Sequence, residues 1–357
     1  MTTDTVGGVL TYVTELVRGL GPDAEVVVAA MGRPMREDQR ISLRNAGAAR
    51  IHEAGYGLEW MADPWEEVEA AGRWLLDLER REQPDVIHLN GYAHGALPWM
   101  APCVVVGHSC VLSWWSAVHG TSAPPSWSHY RGAVQHGLRG AVVVVAPTET
   151  MLDELERLYG EWPGEARVIH NGSPAARPSE LVAKQALILA AGRLWDEAKN
   201  LTVLDRAAAG LDWPVVVAGA LRSPAGFVAS PAHVTVAGEL GAAELGRLRR
   251  GAAVFAAPAL YEPFGLAILE AARDACALVL GDIPSLRELW DGAAWFVDPH
   301  DHRALHAALR ELGADSRLRE QLATAARRRS SSYDVATMSA GYRELYARLP
   351  DRAGALG

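Results

Sequence analysis

The sequence predicts two doubly wound α/β domains in succession, Rossmann-like in build and facing a cleft. Three observations predict it. Short β-branched runs alternate with helix-period segments along nearly the whole chain. Several of those runs, at 85–89, 103–106 and 141–145, are apolar on both faces, as strands of a parallel sheet covered by helices are. The alternation pauses at 171–178, a stretch of turn formers that reads as a linker, and then resumes. A length of 357 residues is too great for one compact core and suits two domains.

Taken in order, Val9, Tyr12, Val13, Leu16, Val17 and Leu20 form one stripe of an amphipathic helix. A strand is predicted at 25–31, and Trp65, Val68, Leu75 and Leu78 mark a second helix. The helix after Pro147 carries Met151, Leu152, Leu155 and Leu158. Beyond the linker, strands are predicted at 186–190, 214–217, 233–236, 253–256 and 277–280, and the tail from about 302 is helical by pattern. Ligands of such sheets sit at the carboxyl ends of the strands, so the expected site is the cleft between the domains.

Composition narrows the function classes. There are 34 basic against 43 acidic residues, a net of -9, which argues against a nucleic-acid-binding surface. Cys103, Cys110 and Cys276 lack metal-ligand spacing and read as buried thiols in a reducing compartment. No apolar stretch approaches a membrane span, and the first residues carry no signal core, so the expectation is a cytoplasmic protein. Contact with a membrane surface stays open.

Three segments could carry chemistry. Gly7-Gly8 precedes the first helix, whose free N–H groups suit an anion, although two glycines also make an ordinary turn. The G-x-G-x-x-G dinucleotide fingerprint is absent. The stretch from Gly192 to Asn200 follows a strand and brings Arg193 and Lys199 to one loop, either as solvated charges or as a phosphate grip. The stretch from Tyr261 to Glu270 follows the strand at 253–256. Pro263 suits a first helical position there, leaving the N–H groups of Phe264, Gly265 and Leu266 open. Eight residues of helix return to within about 80° of one direction, so Glu262 and Glu270 are expected to face one cleft. As isolated residues, Glu262 is also a dipole-favoured helix-start charge and Glu270 an exposed helix glutamate.

Glu262-Pro-Phe-Gly-Leu266 with Glu270, preceded by Gly192-Arg-Leu194 and Lys199-Asn200, resembles the retaining glycosyltransferases of family 4, glycosyl transferases group 1, which have the GT-B fold. The resemblance extends over nearly the whole chain: Gly7-Gly8-Val9, 84–88, Val106-Gly-His108-Ser109 and Val168-Ile-His-Asn171-Gly172 match its N-terminal half. It implies that Arg193 and Lys199 hold the donor diphosphate, that Glu270 accepts from ribose hydroxyls and that Glu262 binds the transferred sugar. It implies further that the amides of Phe264, Gly265 and Leu266 lie near sugar or phosphate oxygens. Gly7 and Gly8 would lie against the diphosphate, His108 near the transferred sugar, and Gly238 with Leu240 beside the base. It also implies that no metal takes part, and no Asp-x-Asp occurs in the chain. By the same resemblance, residues 1–172 plus a returning helix at 336–357 form an N-terminal, acceptor-side domain. Residues 173–335 form a donor-binding domain. Met338, Tyr342, Leu345 and Tyr346 are the stripe expected to pack on the first domain.

Two departures from the family accompany these matches. Only Met1 to Asp4 are available for the strand before the glycine turn, and His170 stands where proline is frequent. Trp114, Trp115 and Trp127 read first as packing residues, with stacking on an acceptor sugar as the alternative. Arg327-Arg-Arg329 reads as a solvated helix face, and His108 with Ser109 as strand neighbours pointing to opposite faces. The reading is a metal-independent, retaining transferase with no cofactor, a nucleotide-diphosphate sugar as donor, and a sugar, lipid or small molecule as acceptor. Its rivals are a nucleotide-sugar epimerase of the same fold and a non-catalytic nucleotide-sugar-binding protein.

Overall fold

A computed structural model describes residues 1–5, 7–174, 182–223 and 226–350. Much of the predicted linker, and the end of the segment assigned to the returning helix, lie outside the described residues. Two compact units emerge. The first comprises Met1–Ser116, Gly120–Gly172 and the chain from Val335 onward; the second comprises Ser173–Asp334, with residues 117–119 grouped with it.

Unit 1 runs β1 (Thr2–Asp4), α1 (Gly8–Leu20), β2 (Val27–Met31), α2 (Glu37–Ala46), β3 (Arg50–Glu53), α3 (Trp65–Glu82) and β4 (Ile87–Leu89). It continues with β5 (Cys103–Val106), α4 (Val111–His119), α5 (Ser128–Gly140), β6 (Val143–Ala146), α6 (Glu149–Tyr159) and β7 (Glu165–Val168). All its strand pairs are parallel, but they form two ladders, β1-β2-β3 and β4-β5-β6-β7. The single sheet expected from the sequence is therefore interrupted, because β1 has only three residues. Asn90, just past β4, supplies the missing link: its backbone N–H donates to Thr2 Oγ1 at 2.8 Å and its Nδ2 to the Thr2 carbonyl at 2.7 Å.

Unit 2 runs β8 (Gln185–Ala191), α7 (Leu201–Ala208), β9 (Val215–Ala218), β10 (Thr235–Gly238), α8 (Ala242–Gly251) and β11 (Ala252–Ala257). After these come α9 (Leu266–Arg273), β12 (Ala277–Gly281), α10 (Pro284–Trp290), β13 (Trp295–Val297), α11 (His302–Ala314) and α12 (Ser316–Ser330). Its six parallel strands lie in the order β10-β9-β8-β11-β12-β13. Alternate residues face opposite layers. Leu187, Leu189, Phe255, Leu278 and Leu280 pack in one core, while Ile188, Val217, Val254 and Val279 pack in the other. Burial on both faces explains why these strands read as unbroken apolar runs.

The last helix, α13 (Val335–Ala347), follows unit 2 in sequence but packs on α1 of unit 1. Met338, Tyr342 and Leu345 are buried, and the Tyr342 ring meets Tyr12 edge-on at 6.2 Å. Among the described residues, no helix is long and apolar enough to cross a membrane.

The ends of β8 and β9 touch through bare backbone. A Cβ added at Gly219 would lie 1.8 Å from the Gly192 carbonyl oxygen, and Gly219 has φ +140°. Gly219→Ala therefore cannot be accommodated without moving the turn that carries Arg193. The expected result is a melting temperature lower by about 5 °C or more. An unchanged melting curve would show that the two strand ends do not meet in this way.

Candidate functional site

In unit 2 the chain winds outward from β8 to β10 and then returns to the other side of β8 with β11. Loops leaving β8 and β11 diverge there, opening a crevice at the carboxyl ends of the strands. After β8, Gly192 leads into Arg193, whose Nη2 donates to Asp196 Oδ2 at 3.0 Å. Asp196 is buried, and its Oδ1 accepts from the Ala198 N–H at 3.1 Å, capping a short 3₁₀ turn over Glu197–Lys199. Arg193 Nε is buried without a hydrogen-bond partner in the protein. Asn200 sits in the left-handed region at φ 58° and donates through Nδ2 to the carbonyls of Pro258 (2.8 Å) and Pro299 (2.6 Å). One side chain thereby ties the loop after β8 to the loop after β11.

Lys199 Nζ donates to Glu262 Oε2 at 2.5 Å. The Glu262 carbonyl accepts from Ser285 Oγ of α10 at 2.7 Å. Arg193, Asp196, Lys199 and Glu262 are thus linked into one charged cluster, and Lys199 and Glu262 line a small cavity with Ala191, Leu194, Pro258 and Ile268. The helix start differs from the sequence expectation. Gly265 adopts a left-handed conformation, φ 85° and ψ 67°, so α9 begins at Leu266 and Pro263 belongs to the preceding turn. A Cβ on Gly265 would come within 2.8 Å of Ile268 Cδ1 and 3.2 Å of Glu262 Cγ. The Phe264 ring turns into the core, edge-on to Tyr333 at 5.7 Å.

Because Glu262 precedes α9, helical periodicity does not relate it to Glu270. The two carboxylates meet different cations. Glu270, on α9, is paired with Arg249 Nη1 of α8, and Arg249 Nε donates to Asp274 Oδ2 at 2.6 Å. Burial works against the Arg249 charge, but Glu270 and Asp274 outweigh it and raise its pKa. Sequence reading missed Arg249, since nothing in its neighbourhood marks it apart from other helix arginines. Gly238 closes β10 at φ 73°, and Leu240 packs partly buried against the unit 2 core.

In unit 1, Gly7 caps α1 at φ 93° and Gly8 is its first residue. His108 lies two residues beyond β5, so it and Ser109 occupy a loop and the strand-neighbour expectation is corrected. His108 Nε2 is 2.7 Å from Asn90 Oδ1 and its ring packs edge-on against Tyr12 at 4.4 Å. His88 shares the same oxygen at 3.3 Å, and its Nδ1 lies 2.6 Å from Tyr346 Oη. Burial pushes His108 down to about 4. Burial, followed by repulsion from the amino group of Met1, pushes His88 down to about 3. Asn90 and His88 are further residues that sequence reading did not single out.

Trp127 packs on the unit 1 core beside Tyr130, Trp114 meets Trp115 edge-on at 6.3 Å, and His170 Nδ1 lies 2.8 Å from the Pro147 carbonyl. Arg329 is not simply solvated: it donates to the carbonyls of Leu289 (3.0 Å) and Asp291 (2.9 Å) at the end of α10. Among the described residues, no group of three or more His, Cys, Asp or Glu side chains is gathered as a metal site.

Two Rossmann-like units, the second with a cluster of paired charges at its strand ends, define the class as a GT-B glycosyltransferase fold. Residues 6–177 match the model of Glycosyltransferase Family 4, and residues 174–329 match that of Glycosyl transferases group 1; the chain belongs to this glycosyltransferase family. It is similar to a glycogen synthase of Mycobacterium tuberculosis, 28% identical over 334 residues, covering 84% of this chain and 79% of the relative. Among solved structures it is similar to sucrose-phosphate synthase from Thermosynechococcus elongatus, with TM-score 0.75, 17% identity and coverage of 95% and 92% of the two chains. It is also similar to Anabaena HepE in complex with UDP-glucose, with TM-score 0.76, 16% identity and coverage of 97% and 98%.

The two neutral histidines make stability depend on pH. In the unfolded chain they take up protons near the usual value of about 6.5, whereas the folded protein binds them only near 3 to 4. Their contribution is unaffected above about pH 6.5 and turns destabilising as pH falls from there toward 4. The melting temperature should decline from pH 7 to 5, and His108→Gln should flatten that decline. An equal slope in the variant would remove His108 from the account.

Proposed function

We propose that the protein is a cytoplasmic, retaining glycosyltransferase that works without a metal ion and moves a hexosyl group from a nucleotide-diphosphate sugar to an acceptor hydroxyl. The observation that carries this reading is the cluster of Arg193, Asp196, Lys199 and Glu262 at the switch point of unit 2. Arg193 brings a buried donor with no protein partner, a group that an anion would satisfy. Lys199 is already engaged by Glu262, so an arriving diphosphate would share its ammonium and leave the Glu262 carboxylate able to accept from sugar hydroxyls.

In this mechanism the bond from the anomeric carbon to the phosphate oxygen lengthens, the sugar gains oxocarbenium character, and the acceptor oxygen attacks from the face the phosphate leaves, passing its proton to the departing phosphate oxygen. Charge builds on the diphosphate, where Arg193 and Lys199 stabilise it, and catalysis is electrostatic and positional. Glu270 serves the ribose, held by Arg249; Gly238 and Leu240 flank the base; Phe264, Gly265 and Leu266 offer backbone amides to the donor. Gly7 and Gly8 approach the diphosphate, and His108 meets the transferred sugar. UDP-glucose is the first donor to try, because a solved relative of the same fold holds it and a sequence relative is a glycogen synthase. The acceptor is a sugar, a lipid or a small molecule.

A thermal-shift panel of UDP-, GDP-, ADP- and dTDP-sugars tests the donor, since a ligand at about 100 times its Kd adds roughly 2.7 kcal/mol. Product analysis then separates a transferase from an epimerase, which isomerises the donor, and from a binder, which does neither. Arg193→Ala and Lys199→Ala should each lower kcat by about 10²–10³. Turnover above half of wild type at saturating donor would refute the clamp. Activity should also persist in EDTA, and complete loss reversed by Mg²⁺ or Mn²⁺ would refute the metal-free mechanism.

The two glutamates should fail differently. Glu270→Gln removes a contact remote from the reacting bond and should chiefly raise the donor Kd. Glu262→Gln alters a contact to the reacting sugar and should depress kcat more than affinity. Calorimetric Kd values alongside product-formation rates decide between this assignment and its reverse.

A further inference from the structure

We infer that Asn90 is a positioning residue: its amide holds His108 as the Nε2–H tautomer, so that the Nδ1 lone pair is offered as a hydrogen-bond acceptor. The function of that lone pair rests on the reading of His108 as a contact to the transferred sugar. The tautomer itself follows from tracing hydrogens. The Thr2 carbonyl can only accept, so the Asn90 atom 2.7 Å from it must be the amide nitrogen. The amide oxygen therefore points the other way, at His108 Nε2 (2.7 Å) and His88 Nε2 (3.3 Å). A carbonyl oxygen requires a donor opposite it, and His108, at 2.7 Å, meets it with Nε2–H. His88 faces the same oxygen at 3.3 Å, the Tyr12 hydroxyl at 3.5 Å and the Tyr346 hydroxyl at 2.6 Å, and hydroxyls serve either of its tautomers. In His108 the bare Nδ1 is left for a ligand hydroxyl.

The surroundings keep His108 neutral. The Tyr12 ring from α1 packs on it, the His88 imidazole from β4 shares its Asn90 oxygen, and the Tyr342 and Tyr346 rings from α13 pack against His88 in turn. Burial opposes an imidazolium, which would turn Nδ1 from acceptor into donor. The chain of bonds also links α13, β4 and β1 through Tyr346, His88, Asn90 and Thr2.

Long-range ¹H–¹⁵N correlation spectra of histidine-labelled protein distinguish the two neutral tautomers from the charged ring. In the wild type, His108 should appear as neutral Nε2–H at pH 7, and neither His108 nor His88 should titrate between pH 5.5 and 8. Asn90→Asp keeps the shape but sets a carboxylate against both rings. It should bring a histidine titration into that window and add to kcat/KM a limb that rises with pH, which the wild type lacks. A wild-type His108 that is Nδ1–H, or mixed, overturns the inference even if the variant does not fold. An Asp variant with unchanged spectra and pH profile overturns it too. A fixed Nε2–H ring in a protein that turns over no nucleotide sugar would sink the functional reading instead and leave the tautomer lock standing.

Discussion

Burial of the strands of unit 2 on both faces is the constraint that orders the rest of that unit. Ile188 and Leu189 are fully buried on opposite faces, and Val254 and Phe255 repeat the pattern beside them. Such strands cannot carry exposed polar chemistry without the cost of desolvating it. Charged groups are displaced to the strand ends, and the reversal of winding between β8 and β11 is where two such ends part. Arg193, Lys199 and Glu262 occupy that place as a result of topology.

Electrostatics then decides how the carboxylates are presented. Each is held by a cation from a separate element: Glu262 by Lys199 from the loop after β8, Glu270 by Arg249 from α8. Asp274 takes a second bond from Arg249. Pairing limits the penalty of partial burial and fixes the rotamers of groups that would otherwise sweep a wide volume. The same pairing makes each assignment conditional, since removing one partner leaves the other charge uncompensated. Unit 1 is built on the opposite principle. Around Asn90 the groups are neutral imidazoles, phenols and backbone carbonyls, and order comes from the direction of each hydrogen bond.

Short strand length matters here as well. With three residues in β1, a continuous ladder across unit 1 is not formed, and the Asn90 amide bridges to Thr2 instead. Joining two sheet fragments through a side chain places an amide oxygen where a backbone ladder would have left none. The pair of histidines that meets this oxygen is a consequence of that repair.

By itself the sequence determined the alternation of strands and helices, the break near 171, and the residue types of the charged loops. These are local matters: apolar runs, turn formers, and motifs confined to a dozen residues. The pattern of 103–106 and of 277–280 was legible because double-faced burial leaves an unbroken apolar signature. Family resemblance named Arg193, Lys199, Glu262 and Glu270, but not their partners. Tertiary structure alone decided that Lys199 meets Glu262, 63 positions away, and that Tyr346 reaches His88 across 258. It also moved the start of α9 to Leu266, because Gly265 takes a left-handed conformation just before it, at a place where a side chain would strike Ile268 and Glu262. Hydrogen bonds and ion pairs across such separations leave no period in the sequence, since either partner is an ordinary polar residue until the fold brings the other to it.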